Sequence, residues 1–132
     1  MVIWHGEKGR KKTGGKINIA RKKRKYELGS LPMLTKIGKE ERKIVKAKRG
    51  LYKVKASSVE FVNVLDPDTN EMKKVKILHV LENKANPHLV RRGIITKGAV
   101  VKTEIGNVRI TSRPSQHGIV NAIILTTEEK KH

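Results

Sequence analysis

The sequence lacks cysteine and has few aromatic residues, and each shortage excludes a class of function. With no cysteine among its 132 residues, the chain cannot form a disulfide framework, a cysteine-based zinc site or a thiol nucleophile. One Phe, one Trp and two Tyr are too few for the stacking platforms on which RRM and OB domains bind single strands. The absence of cysteine suits a reducing, intracellular compartment.

Long apolar runs are also absent. The N-terminal sequence MVIWHGEKGRK has no apolar stretch of the kind that a secretory signal requires. No run approaches the roughly eighteen apolar residues of a membrane-spanning helix. We therefore expect neither a secretory signal nor a membrane partner.

Acidic residues are missing from the stretch between Lys8 and Lys25. Ten of its eighteen residues are Lys or Arg, and its apolar residues are Ile17, Ile19 and Ala20 alone. So few apolar side chains cannot offset the entropy of ordering the chain, and the cations repel one another. A dense polyanion is the partner that such a segment fits, and RNA or DNA is the usual one.

The positive charge is concentrated in the first 55 residues. Residues 1–55 hold nineteen Lys/Arg and four Asp/Glu, a net charge of +15, whereas residues 56–132 hold twelve and eight, a net charge of +4. We expect residues 1–30 to be an extended basic arm and residues 31–127 to be a folded body. Residues 128–132 would be a polar tail.

A second basic stretch, Arg42 to Ala56, predicts a two-stranded ribbon that turns near Arg49–Gly50. Its apolar and basic residues alternate with a period of two, which predicts that the lysines lie together on one face. A helix is an alternative, because Ile37, Ile44 and Leu51 recur every seven residues.

The remaining sequence predicts an all-β body. Ser58–Leu65 and Val75–Glu82 are predicted to form a hairpin across the turn sequence Asp66 to Asn70. The apolar phase changes midway in each strand, which indicates either a bulge or burial on both faces. Asn86 to Gly93 has the capping residues of one helical turn. Further strands are predicted at Ala99–Ile105, Val108–Ser112 and Ile119–Leu125. Six or seven short strands with almost no helix predict a small closed antiparallel barrel.

Catalytic and metal patterns fail on inspection. Thr13 to Lys16 departs from a phosphate-binding loop, because Arg10 and Ile17 occupy the positions of its first glycine and its hydroxyl. Asp66 to Asn70 begins like a calcium loop but lacks the required Gly and the closing Glu. His88 and His117 could form an acid–base pair for RNA cleavage, yet no pattern brings them together. We expect no enzyme activity, no cofactor, no metal and no small-molecule substrate.

Several motifs resemble those of one family. Gly9 to Lys16 (GRKKTGGK), Arg21 to Gly29 (RKKRKYELG), Val90 to Ala99 (VRRGIITKGA) and Val108 to Pro114 (VRITSRP) follow in the order of the small-subunit ribosomal protein family "S-eight-e". The resemblance covers nearly the whole chain. The chain lacks the long insertion of eukaryotic members, so it is similar to the archaeal type.

The resemblance implies a structural constituent of the small ribosomal subunit, located in the cytoplasm within the ribosome. A compact barrel would lie on ribosomal RNA, a basic arm would thread between RNA helices, and other ribosomal proteins would be neighbours. Alternatives are a ribosome-assembly factor or another non-catalytic protein that binds structured RNA or DNA.

The candidate RNA-binding residues combine phosphate-neutralising cations, two glycines that let the backbone approach RNA closely, and one tyrosine that could stack on a base. They are Lys8, Arg10, Lys11, Lys12, Gly14, Gly15, Lys16, Arg21, Lys22, Lys23, Arg24, Lys25, Tyr26, Arg42, Lys46, Lys48, Lys53, Lys55, Arg91, Arg92 and Arg113.

Overall fold

The computed structural model describes residues 2–6 and 9–125, apart from the side chains of Val2 and Lys48. Two compact units make up the chain, and the division falls between Pro32 and Met33. Among the described residues, no helix has the length and apolar character to cross a membrane. The predicted tail, residues 128–132, lies outside the described residues.

The N-terminal unit is a closed loop and not the extended arm that the composition predicts. Strand β1, Val2–Trp4, pairs antiparallel with β2, Leu28–Ser30. A 3₁₀ turn, Lys25–Glu27, leads into β2. Because the two strands join the ends of the segment, the basic residues between them form a loop with a fixed base.

The C-terminal unit contains nine strands, two short α-helices and a 3₁₀ segment, Lys48–Gly50, among its described residues. The strands are β3 (Thr35–Ile37), β4 (Glu41–Lys46), β5 (Tyr52–Val59), β6 (Phe61–Leu65), β7 (Met72–Glu82), β8 (Ile94–Ile95), β9 (Val100–Thr103), β10 (Asn107–Ile110) and β11 (Asn121–Ile124). The helices are α1 (His88–Arg91) and α2 (Pro114–His117).

A closed barrel is confirmed, but it has five strands, in the order β10–β11–β6–β7–β9. A four-stranded sheet, β4–β5–β3–β8, accounts for the other strands of this unit. Four of the five strand pairs of the barrel are antiparallel, as predicted, whereas β11 pairs parallel with β6. In the four-stranded sheet, β3 pairs parallel with β5. The parallel pairs join strands that are distant in sequence, and local turn signals do not reveal such pairings.

The barrel encloses a core of small and β-branched side chains. Val62, Val64, Val101 and Val108 are each at most 1% exposed. In β6 the buried residues alternate with more exposed ones, as expected of a strand with one face inside a barrel. The outer wall of the barrel carries polar and basic residues together with exposed apolar side chains such as Phe61 and Leu78.

The hairpin predicted across Asp66 to Asn70 is confirmed as β6 and β7. The N–H of Asn70 donates to the Asp66 carbonyl (2.9 Å), and Asn70 has φ = 55°. A bulge interrupts the β7 register between Ile77 and His79, where the apolar phase changes. The change of apolar phase predicted within Ser58–Leu65 lies next to the break at Glu60 between β5 and β6.

Each of the two short helices is followed by a glycine with positive φ, and α1 also has a capping side chain at its start. The Asn86 Oδ1 accepts the N–H of His88 (2.9 Å), and Gly93 after α1 has φ = 61°. This confirms the predicted helical turn. Gly118 after α2 has φ = 72° and lies against Val54 of β5.

Gly118→Ala should lower the free energy of unfolding for two reasons. A side chain at positive φ costs about 1 kcal/mol. An added Cβ would also lie 2.9 Å from Val54 Cγ1 and 3.1 Å from the Val54 carbonyl oxygen, and such overpacking costs about 1–3 kcal/mol more.

Gly98→Ala is the matched control for urea unfolding, because Gly98 has φ = 81° but an added Cβ meets no atom within 4 Å. The control should lose only the roughly 1 kcal/mol that a side chain at positive φ costs. Equal losses in the two variants would contradict a tight contact between α2 and β5.

Candidate nucleic-acid interface

A hydrogen-bonded clamp closes the base of the basic loop in the N-terminal unit. The Trp4 Nε1–H donates to the Glu27 Oε2 (2.9 Å), and the Arg24 backbone N–H donates to the same oxygen (3.1 Å). The Arg21 guanidinium donates to the Glu27 Oε1 (2.6 Å). We call Trp4, Arg21, Arg24 and Glu27 the Glu27 clamp.

The clamp keeps the Glu27 carboxylate ionised far below neutral pH. The hydrogen bond from Trp4, followed by that from the Arg24 backbone, lowers the pKa of Glu27 from 4.5 to about 2. The Arg21 guanidinium contributes further, and the same contact raises the pKa of Arg21. One anion therefore holds three donors at the base of a cationic loop.

Trp4 is the buried apolar residue of the N-terminal unit among the described residues. It is 9% exposed, whereas the basic residues after it are exposed. The Lys23 ammonium lies 5.2 Å from the centroid of the Trp4 ring, and the Arg21 guanidinium lies 5.7 Å from that of Tyr26. Cation–π contacts of this kind stabilise a unit that has too few apolar residues for a core of its own.

A tight turn shapes the first part of the loop. Arg10 and Lys16 form an antiparallel bridge. The N–H of Gly14 donates to the Lys11 carbonyl (2.9 Å), and the Arg10 guanidinium donates to the Gly14 carbonyl (2.9 Å). Gly14 has φ = 84°, a conformation that glycine adopts without strain. The turn therefore needs Gly14 for its own geometry.

All nine described cations of residues 9–25 are exposed. They are Arg10, Lys11, Lys12, Lys16, Arg21, Lys22, Lys23, Arg24 and Lys25. Lys8, also predicted to bind RNA, lies outside the described residues. Within the described chain, Arg21 is the one member of this set in an ion pair. The other eight keep their charge for a partner.

The ribbon in the C-terminal unit is confirmed, but its lysines do not share one face. Lys43 lies opposite Lys55, Val45 opposite Lys53, and Lys46 opposite Tyr52. Directly opposite residues in an antiparallel pair project from the same face. Lys53 and Lys55 therefore project from one face and Lys46 from the other, and the side chain of Lys48 lies outside the described residues.

The length of the turn explains this error. A two-residue turn at Arg49–Gly50 would have paired Lys46 with Lys53. The loop instead runs from Ala47 to Leu51, whose backbone groups are joined by a 2.6 Å hydrogen bond. This shifts the register by one residue, and such a shift moves every side chain of one strand to the other face.

The other predicted arginines are dispersed over the C-terminal unit. Arg91 ends α1, Arg92 follows it, and Arg113 precedes α2. All three are exposed, and within the described residues none of them forms an ion pair. Arg42 is exposed and pairs with Glu40, which reduces its availability for phosphate.

Sequence reasoning missed several residues of this surface. Lys43 shares a face with Lys53 and Lys55 in the ribbon. On the barrel wall, Phe61 of β6 is 39% exposed and the Lys74 ammonium of β7 lies 4.9 Å from its ring centroid. The signal in the sequence was the polar Asn63 between Val62 and Val64, which places Phe61 and Asn63 together on the outer face.

Comparison with known proteins identifies the family. Residues 4–125 match the family model "Ribosomal protein S8e". The chain belongs to the ribosomal protein S8e family. It is 48% identical over 122 residues to "Small ribosomal subunit protein eS8" of Methanospirillum hungatei, covering 92% of this chain and 98% of that protein. It is 48% identical over 126 residues to the protein of the same name from Methanococcus aeolicus, covering 95% and 98%.

Membership of the S8e family makes the chain a structural ribosomal protein and not an enzyme. The two histidines considered for RNA cleavage lie in different helical turns, His88 at the start of α1 and His117 at the end of α2. Within the described residues, no three His, Asp or Glu side chains gather in a way that could hold a metal ion.

Acid should release the Glu27 clamp. Because the pKa of Glu27 is lower in the folded unit than its ordinary value of 4.5, its contribution to stability is full above that value. The contribution is lost as the pH falls towards about 2. Trp4 is the sole tryptophan, so its emission should shift to longer wavelength over this range as the indole becomes exposed.

Glu27→Gln should show the shifted emission already at neutral pH and no further transition on acidification. Glu71→Gln is the matched control, since it removes an equal charge from a carboxylate that pairs with Lys73. A wild-type emission that stays constant down to pH about 2 would contradict the clamp.

Proposed function

We propose that this chain is a structural constituent of the small ribosomal subunit that binds and stiffens small-subunit ribosomal RNA through phosphate and shape contacts. The observation that carries the proposal is the set of nine exposed cations in residues 9–25, held on a base closed by a single carboxylate. The small-subunit assignment follows the names of the relatives, and the location that we propose is the ribosome in the cytoplasm.

Dense, unneutralised cations suit closely packed phosphates. RNA segments that approach one another in a folded RNA repel strongly, and a protein loop that brings several Lys and Arg between them offsets that repulsion. Arginine binds a phosphate through two parallel hydrogen bonds, whereas lysine acts as a point charge. Gly14 and Gly15 let the backbone of the tight turn approach RNA where larger side chains would collide.

Recognition of the shape of folded RNA fits this chain better than recognition of base sequence in duplex DNA. The described helices, α1 and α2, have four residues each, too short for a recognition helix in a major groove. Folded RNA is recognised largely through its backbone and shape. The exposed Tyr26, with Arg21 against its ring, is the residue of the N-terminal unit that would stack on an unpaired base.

The ribbon supplies a second contact region with cations on both faces. Lys43, Lys53 and Lys55 lie on one face, and Arg42 and Lys46 lie on the other. Such a ribbon suits a position between two RNA segments better than a position flat on one. Arg91, Arg92 and Arg113 would add phosphate contacts, and other ribosomal proteins would be neighbours.

Replacing Lys11, Lys12 and Lys16 together with Gln should weaken the salt dependence of RNA binding. Each lost phosphate contact lowers the slope of log K against log salt by about 0.7–0.9, so the slope should fall by about 2–3. The measurement is fluorescence anisotropy with a small-subunit ribosomal RNA transcript over a salt series.

A matched variant replaces Lys84, Lys97 and Lys102 with Gln, which removes the same charge from exposed positions of the C-terminal unit. Its slope should stay near that of the wild type. If both triple variants lose slope equally, net charge and not the basic loop determines binding.

Sedimentation separates the structural role from its alternatives. The labelled chain should co-sediment with mature small subunits after a moderate-salt wash and exchange slowly. An assembly factor would instead sediment with precursor particles and leave the mature ones. A general DNA-binding protein would be displaced equally well by duplex DNA and by folded ribosomal RNA.

A further inference from the structure

The outer wall of the barrel carries a small hollow beside an exposed aromatic ring. The hollow has a volume of about 230 Å³ and is lined by residues including Phe61, Asn63, Lys74 and Ile119. Phe61 is 39% exposed. Its strand neighbour Val62 is 1% exposed, so Phe61 and Asn63 both project from the outer face.

Two amide side chains project from the same outer face of the barrel as the ring. Asn63 is paired with Asn121 of β11 in the strand register, and its Nδ2 donates to the Asn121 Oδ1 at 3.2 Å. This bond leaves the Asn63 Oδ1 as an acceptor and the Asn121 Nδ2 as a donor. Within the described part of the chain, neither of these atoms has another protein partner. An acceptor beside a donor is complementary to the edge of a nucleobase.

A cation completes the hollow. The Lys74 ammonium lies 4.9 Å from the centroid of Phe61, and Lys74 lies opposite Asn63 in the register. Among the described residues, Lys74 has no acidic partner, whereas its neighbours Lys73 and Lys76 pair with Glu71 and Glu60. The lysine stem is flexible, so the ammonium can contact a phosphate when another group occupies the face of the ring.

We propose that this hollow binds one unpaired nucleotide of RNA. The base stacks on Phe61, the Asn63–Asn121 pair contacts the base edge, and Lys74 contacts the phosphate. We call these four residues the Phe61 site. It rests on the proposed RNA-binding function and adds to it a specific single-stranded contact on the barrel, separate from the basic loop.

The charge of the hollow favours RNA over an acidic peptide. Its carboxylate, Glu40, is paired with Arg42, so Lys74 remains as a single cation beside an aromatic face and two amides. One cation suits one phosphate, and an aromatic face with amide groups suits one base. An acidic peptide would match a cluster of unpaired cations better.

Substitutions of Phe61 and Lys74 in the full-length chain, each with a matched control variant, test the Phe61 site. The probes are a single-stranded oligoadenylate of about eight nucleotides carrying 2-aminopurine and a blunt RNA duplex of about sixteen base pairs. Stacking on an aromatic ring contributes about 1–3 kcal/mol per base. Phe61→Leu should therefore weaken binding of the oligoadenylate by about 5- to 160-fold and abolish the 2-aminopurine quenching that binding causes.

Duplex binding and its salt slope should stay unchanged in Phe61→Leu, and Phe61→Tyr should keep the wild-type behaviour. Lys74→Gln should weaken oligoadenylate binding more than Lys73→Gln does, although both remove one charge from the same strand. Unfolding by urea establishes that each variant is folded. If Phe61→Leu fails to fold, the two lysine variants decide.

The proposal is overturned if Phe61→Leu binds oligoadenylate as tightly as the wild type does, or if it loses duplex and single-strand binding alike. Equal effects of the two lysine variants would also overturn it. So would binding of an acidic peptide that is lost in Phe61→Leu while oligoadenylate binding persists. A wild-type chain that binds neither RNA would instead refute the proposed function itself.

Discussion

Repulsion between cations is the constraint on which the N-terminal unit depends. A protein segment that neutralises phosphates must keep its cations free, so it cannot fold by pairing them internally. Here the fold concentrates its pairing on Glu27, which accepts hydrogen bonds from Trp4, Arg21 and Arg24 at the base of the loop. The cations beyond the base stay exposed. One carboxylate thus closes the loop without neutralising most of its charge.

The C-terminal unit folds by burying apolar side chains and not by pairing charges. Its stability comes from a closed barrel of Val, Ile and Ala side chains, and the burial of apolar surface requires no charged partner. Charged residues are therefore not needed inside, and the wall and the ribbon can carry lysine and arginine. A rigid barrel also fixes the spacing of the groups on its wall, such as Phe61 and Asn63, at little further entropic cost.

Local signals in the sequence predicted the parts of the fold that depend on local chemistry. The turn at Asp66 to Asn70, the capping of α1 by Asn86 and the bulge near Ile77 were all readable, because each depends on a few adjacent residues. The closed loop was not readable. It depends on a contact between Trp4 and Glu27, which are 23 residues apart, and composition alone describes that region as unable to order itself. The parallel pairing of β11 with β6 was missed for the same reason.

The ribbon gives the clearest case of a small structural detail with a large effect on the site. Its strands, its turn region and its basic residues were all predicted, yet one residue of register separates a ribbon with a single lysine face from one with cations on both faces. The difference changes the kind of RNA surface that the ribbon fits. A one-sided ribbon covers a single groove or backbone, whereas a two-sided ribbon stabilises two segments that would otherwise repel each other. The loop of the N-terminal unit also presents exposed cations, on a backbone whose ends are joined by β1 and β2. Both elements therefore support the proposal that this protein holds neighbouring RNA segments together.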